Sequence, residues 1–147
     1  MATSTLIQKL DSGAEFGAAT SNRSQTEAYL AGAAVAAGDW VMFDSGQAGA
    51  DRTLFVIQAA AGVATGAPVI GVALNAATAA GQRVNVCVAG YVDAAAITTG
   101  IVADTPLCVD TTAGRADAAA AANIIICGVA LGTAAANVGP AYVYKRV

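Results

Sequence analysis

Gly71-Val-Ala-Leu74 returns as Gly128-Val-Ala-Leu131, and the same nine-residue spacer follows each copy before an alternating, strand-like run begins. The first run is Val84-Asn-Val-Cys-Val-Ala-Gly90 and the second is Ala141-Tyr-Val-Tyr-Lys-Arg-Val147. Apolar residues at every second position mark a half-buried strand. The chain therefore carries one β unit twice, and a β-rich body is the expectation.

The order of elements supports this. Ala37-Gly-Asp-Trp-Val-Met-Phe-Asp44 reads as a turn and a short strand, Asp44 to Asp51 as a dense turn, and Arg52 to Gln58 as the next strand. Pro68 opens the strand that holds the first Gly-Val-Ala-Leu. In abbreviated form, Asp104-Thr-Pro-Leu-Cys-Val-Asp110 stands where Asp39 to Asp44 stood, and Asn123 to Leu131 carries the second copy. Asn75 to Arg83 and Gly132 to Pro140 read as connections crossing between sheets. Ala116 to Ala122 invites a helical turn on propensity, but glycines interrupt the other alanine runs and helix stays a minor element.

The expected fold is all-β, a small β-barrel or β-clip-like body built from two related β units, with an extended N-terminal arm. The arm spans 1–27 and the body 28–147, divided into a first β unit over 28–100 and a shorter second one over 101–147. Ser, Thr, Asn, Gln and charge dominate the arm, and its sizeable apolar side chains are Leu6, Ile7, Leu10 and Phe16. No helical stripe persists through Ser12, Gly13 and Gly17. Fully extended, an arm of this length reaches roughly 80 Å, against a radius of gyration of roughly 14 Å for the body. It can touch a neighbour well beyond its own domain.

Hydrophobic residues make up 56% of the chain and aromatic ones 5%, because alanine alone supplies roughly a quarter of it. An alanine methyl gains well under half of the roughly 1.5 to 3 kcal/mol that burial of a large aliphatic side chain contributes. Charged residues are 12%, far below the roughly 25% of ordinary soluble domains. Such a body is expected to be weakly stable alone and to bury more of its surface by association.

A net charge of −3, with seven scattered cations, argues against nucleic acid as a partner. No stretch reads as a membrane-spanning helix, and Met1-Ala-Thr-Ser-Thr-Leu does not read as a secretory peptide. The chain has no histidine, so the commonest general base is missing. Cys87, Cys108 and Cys127 are widely spaced in apolar runs and read as buried thiols, without the close pairs a zinc site needs. Asp39, Asp44, Asp104 and Asp110 flank predicted strands and read as turn caps. Gly46-Gln-Ala-Gly49 and Gly62-Val-Ala-Thr-Gly66 lack the Lys and Ser/Thr of a phosphate loop. No catalytic residue, metal site or cofactor is expected. Trp40 reads as core, whereas Tyr142 and Tyr144 share one face of the last strand and line either the core or a subunit interface.

Gly38-Asp-Trp-Val, Pro68-Val-Ile-Gly-Val-Ala-Leu and Ala80-Gly-Gln-Arg-Val-Asn-Val-Cys-Val-Ala-Gly-Tyr-Val92 together resemble the small head decoration, or capsid cement, proteins of tailed bacteriophages. The likeness covers about residues 36 to 93, and Ser21-Asn-Arg-Ser-Gln-Thr-Glu27 is similar to the N-terminal arms of some of them. The resemblance implies a homotrimer, made in the host cytoplasm, seated on the outer surface of the capsid in the virion. There it would bridge subunits of the major capsid protein, with Leu6, Ile7, Leu10 and Phe16 as the arm's capsid anchors and Tyr142 and Tyr144 at a subunit interface. The duplicated half and the long arm depart from the family's usual pattern. A carbohydrate-binding or tail-associated adhesin module is the competing expectation, and a small carboxylate enzyme a distant third.

Overall fold

The computed structural model describes residues 24–60, 68–109, 112–119 and 125–145. The arm's anchors Leu6, Ile7, Leu10 and Phe16 lie outside the described residues. Nine strands are formed by the described residues: β1 (Gln25–Ala31), β2 (Trp40–Phe43), β3 (Phe55–Gln58), β4 (Val69–Ala73), β5 (Arg83–Ala96), β6 (Pro106–Val109), β7 (Ala116–Ala118), β8 (Gly128–Ala130) and β9 (Val138–Val143). No α-helix occurs among the described residues, and a 3-10 turn at Gly49–Thr53 precedes β3. The protein is an all-β body, as the alternating runs predict.

Five strands close on themselves. β1 pairs with β3 in parallel, β3 with β2, β2 with β4, β4 with β5 and β5 back with β1, the last four all antiparallel. β5 then runs on past this barrel. Its C-terminal half pairs with β9 through Tyr91↔Tyr142 and Val92↔Ala141, and β8, β6 and β7 follow in order. Just beyond β5, Ile97 forms a parallel bridge with Ala116 of β7, and the Thr98 N–H donates to the Ala116 carbonyl at 2.9 Å. A second, less complete ring results, in which the second half of β5 plays the part that β1 plays in the first.

The repeated tetrapeptide sits in the same place in both rings. β4 lies between β2 and β5, and β8 lies between β6 and β9. A Cβ on Gly71 would fall on the Cys87 carbonyl oxygen, and a Cβ on Gly128 would fall on the Tyr142 carbonyl oxygen. Only glycine lets the neighbouring strand come this close. The segments after the tetrapeptides are hairpin loops rather than crossings between sheets, since Leu74 N–H donates to Asn85 O and Leu131 N–H to Pro140 O. The second loop closes two residues sooner, on a tight turn whose central residues Ala136 and Asn137 have φ of 50° and 62°. A slip of two residues preserves which face points inward.

Two further expectations are revised. Ala116–Ala118 is strand β7 rather than a helical turn, because its backbone pairs with Leu107, Cys108 and Val109 of β6. β1 begins at Gln25, inside the stretch whose polar composition resembles the arm.

The core has two compartments. Ala31, Val41, Val56, Ala73, Val84, Val86 and Val88 fill the first barrel, where five strands leave room only for small and β-branched side chains. Ile97, Leu107, Cys127, Ala130, Ala141 and Val143 make the second, and Trp40, Val72 and Cys87 reach into it from the outer face of the first barrel. Trp40 is fully buried, and its indole N–H donates to the Ala96 carbonyl at 2.9 Å. One large side chain thus fastens the two rings together.

Candidate docking surfaces

The outer face of β5, β9 and β8 carries aromatic and aliphatic groups where a sheet would ordinarily show polar ones. Alternation along β9 buries Ala141 and Val143 and turns Tyr142 outward, and Tyr144 just past its end also faces out, with 40% and 42% of their surfaces exposed. Their rings lie 6.2 Å apart. Tyr91 stands directly opposite Tyr142 on β5, and Val129 opposite it on β8. Leu131 and Ile126, 43% and 41% exposed, follow on the β8 side. Of the two places the sequence allows Tyr142 and Tyr144, the structure excludes the core. The Tyr91 hydroxyl donates to Asp93 Oδ1 at 2.7 Å, and that carboxylate holds the phenol above its ordinary pKa.

A second feature is the mouth of the first barrel. Tyr29, Phe43, Ile70 and Val88 pack with the first core at this end and line a cavity of about 390 Å³. The Tyr29 and Phe43 rings meet edge to face at 6.0 Å. Glu27 and Lys145 stand at the rim. Glu27 accepts from the Tyr29 hydroxyl at 2.7 Å and from Gln25 Nε2 at 3.0 Å, while Lys145 Nζ donates to Gln25 Oε1 at 3.0 Å. Burial, and then the Glu27 carboxylate, push the Tyr29 phenol up to about 12. Barrel mouths are favoured places for ligands.

The carboxylates singled out by their positions serve turns. Asp39 Oδ2 accepts from the Ala36 N–H and from Gln58 Nε2, both at 2.7 Å. Asp44 accepts from the Gly46 N–H at 2.9 Å and from Gln47 Nε2 at 3.0 Å, and these bonds lower its pKa. Asp104 occupies a left-handed turn with φ of 65°, and Asp110 lies outside the described residues. Cys87, Cys108 and Cys127 are all buried. Among the described residues no three His, Cys, Asp or Glu side chains gather as a metal site would require.

Tyr91 and the mouth residues escape a reading of the sequence. The available signal for Tyr91 is the alternation of Val84 to Gly90, which Tyr91-Val92 continues. Nothing local marks Tyr29, Phe43 and Lys145 as neighbours, because pairings of β1 with β3, β3 with β2, β1 with β5 and β5 with β9 bring them together.

Fold and surface together define a class: an all-β body of two fused rings that displays apolar and aromatic faces. No protein-family model matches the chain, and no curated protein matches it. Among solved structures it is similar to the N base of the head fiber gp8.5 of bacteriophage phi29, with a TM-score of 0.57 and 13% identity. The match covers 84% of this chain and 98% of that one. At this identity the likeness is one of fold.

Proposed function

We propose that the chain is a structural protein of a phage head, which binds the outside of the icosahedral capsid and cements it by bridging major capsid protein subunits. The observation that carries this reading is the shared fold with a head fiber base, over nearly all of that chain. Composition and surface support it, with few charges and an outward row of tyrosines, and the N-terminal segment, if fully extended, would reach roughly 80 Å. No enzymatic role is proposed. Copies associate, as a trimer, with Tyr142 and Tyr144 at the subunit interface, and the arm anchors Leu6, Ile7, Leu10 and Phe16 grip the shell. A specific, stable contact buries on the order of 1,600 Å², and repetition over a shell multiplies its effect.

The test is sedimentation of phage heads with the purified protein. The wild-type chain should co-sediment at saturable stoichiometry, and replacing Leu6, Ile7 and Leu10 with serine should reduce occupancy at least tenfold without altering the circular dichroism spectrum. Undiminished occupancy of that variant, or a wild-type protein that ignores heads, rejects the reading.

The exposed tyrosines also favour a second reading, a carbohydrate-binding or tail-associated module, because sugar faces stack on outward aromatic rings. Tyr142 on β9 and Tyr144 just past its end both face solvent. Glycan-array binding that is lost in Tyr142→Ala, by a protein that does not bind heads, would select it.

A further inference from the structure

The mouth of the first barrel is an apolar, aromatic cup with a cation at its rim. Both Glu27 oxygens already accept hydrogen bonds, Oε1 from Gln25 and Oε2 from Tyr29, so each of them already has a donor within this chain. Lys145, exposed and held by one neutral amide oxygen, is the rim charge turned outward. A fitting guest is therefore an extended segment with a large, preferably aromatic, side chain beside a carboxylate. Edge-to-face contact rewards an aromatic guest against Tyr29 and Phe43, and the carboxylate reaches the ammonium.

Such a segment exists in this chain. Glu15-Phe16 lies eight residues before Ser24 and combines the arm's one aromatic side chain with an adjacent carboxylate. We propose that the mouth receives Glu15-Phe16 from the arm of a second copy, Phe16 entering between Tyr29 and Phe43 and Glu15 pairing with Lys145. The second copy is favoured over the chain's own arm by the way β1 is entered. Ser24 Oγ accepts from the Tyr91 N–H and donates to the Tyr91 carbonyl, both at 3.1 Å. Ser24 thus fastens the incoming chain along β5, past the mouth and toward the second ring. To enter its own barrel the arm would have to reverse direction; a neighbour's arm does not. Phe16 then serves the neighbouring copy instead of the shell, while Leu6, Ile7 and Leu10, earlier in the sequence, stay available to the shell.

This rests on the reading of the chain as a self-associating shell protein, yet its test needs no heads. Sedimentation velocity of the full chain across a concentration series reads the association constant. Phe16→Ala and Lys145→Glu should each weaken association about tenfold or more, and pairing Lys145→Glu with Glu15→Lys should restore it. Phe16 and Glu15 belong to none of the described strands and Lys145 is exposed, so circular dichroism should show every variant folded. A monomeric wild type, single variants that associate as well as wild type, or a swap that fails to restore association would each overturn the proposal. A change in melting temperature in a protein that stays monomeric would place the arm in its own mouth, and also overturns it. Arm exchange that passes these tests in a protein indifferent to heads would leave this inference standing and remove the shell reading.

Discussion

Tyr29 is the residue where packing and charge meet most directly. Its ring lines the barrel mouth, and its hydroxyl donates to Glu27. Both effects favour the neutral phenol, which is why its pKa is pushed up to about 12 while an unfolded tyrosine ionises near its ordinary 10.0. The sign follows from proton counting. Between those two values the folded state holds a proton that the unfolded state has lost, so stability falls as pH rises. The contribution is complete below pH 10 and disappears through pH 12. Thermal melts from pH 8 upward should show the melting temperature declining across this window, and Tyr29→Phe should flatten the decline. The aromatic absorbance change of ionisation should move in parallel. An unchanged pH profile in the variant would show that Tyr29 is not held as described. The residues that carry chemistry were thus unequally legible. Asp39 and Asp44 announced themselves as turn formers beside Gly and Ser, because a cap is a local device. Tyr29 beside Phe43 could not be foreseen, because β1 and β2 meet only through β3.

At the level of elements, the duplication predicted β4, β5, β8 and β9 because each copy supplies its own alternation and its own glycine. Gly71 and Gly128 show what that glycine does. Each lies where the next strand's carbonyl occupies the space of a Cβ. In Gly128→Ala the methyl must displace either the Tyr142 backbone or Trp40, whose Cη2 would lie 3.0 Å away. The expected loss is about 3 kcal/mol or more, in the range of overpacked cores and broken strand pairing. Chemical denaturation should report it as a lower midpoint with an unchanged slope. Gly128→Ala with wild-type stability would mean that β8 and β9 can separate freely. Elements without such a mark take their form from their neighbours. β7 consists of alanine and aspartate, which have no strand preference of their own, and it is a strand because β6 offers it an edge. β1 begins among polar residues, and pairing with β5 from Gln25 onward makes it a strand where composition resembles an arm.

For the whole molecule the question is whether two repeated units make two domains, and β5 bears on the answer. Its first half closes the barrel and its second half begins the next ring, so no peptide bond between Arg83 and Ala96 separates them. Trp40, Val69 and Val72 then cross the boundary from the other side, being built into the first barrel and buried in the second core. A chain ending at Gly100 keeps every strand of the barrel yet bares these side chains. Exposing an indole and two valines costs about 8 kcal/mol at roughly 25 cal/mol per Å². That is comparable with the 5 to 15 kcal/mol total stability of an ordinary domain, and the alanine-rich barrel has little in reserve. Residues 1–100 alone should therefore show no cooperative thermal transition and should bind a hydrophobic dye, whereas the full chain melts once, with tryptophan fluorescence and circular dichroism coinciding. If the fragment melts cooperatively with dispersed amide resonances, the rings are independent modules and Trp40 is only a lid. If it does not, the repeat persists because each half completes the other, and the outward tyrosines of the second ring are held rigid by the first.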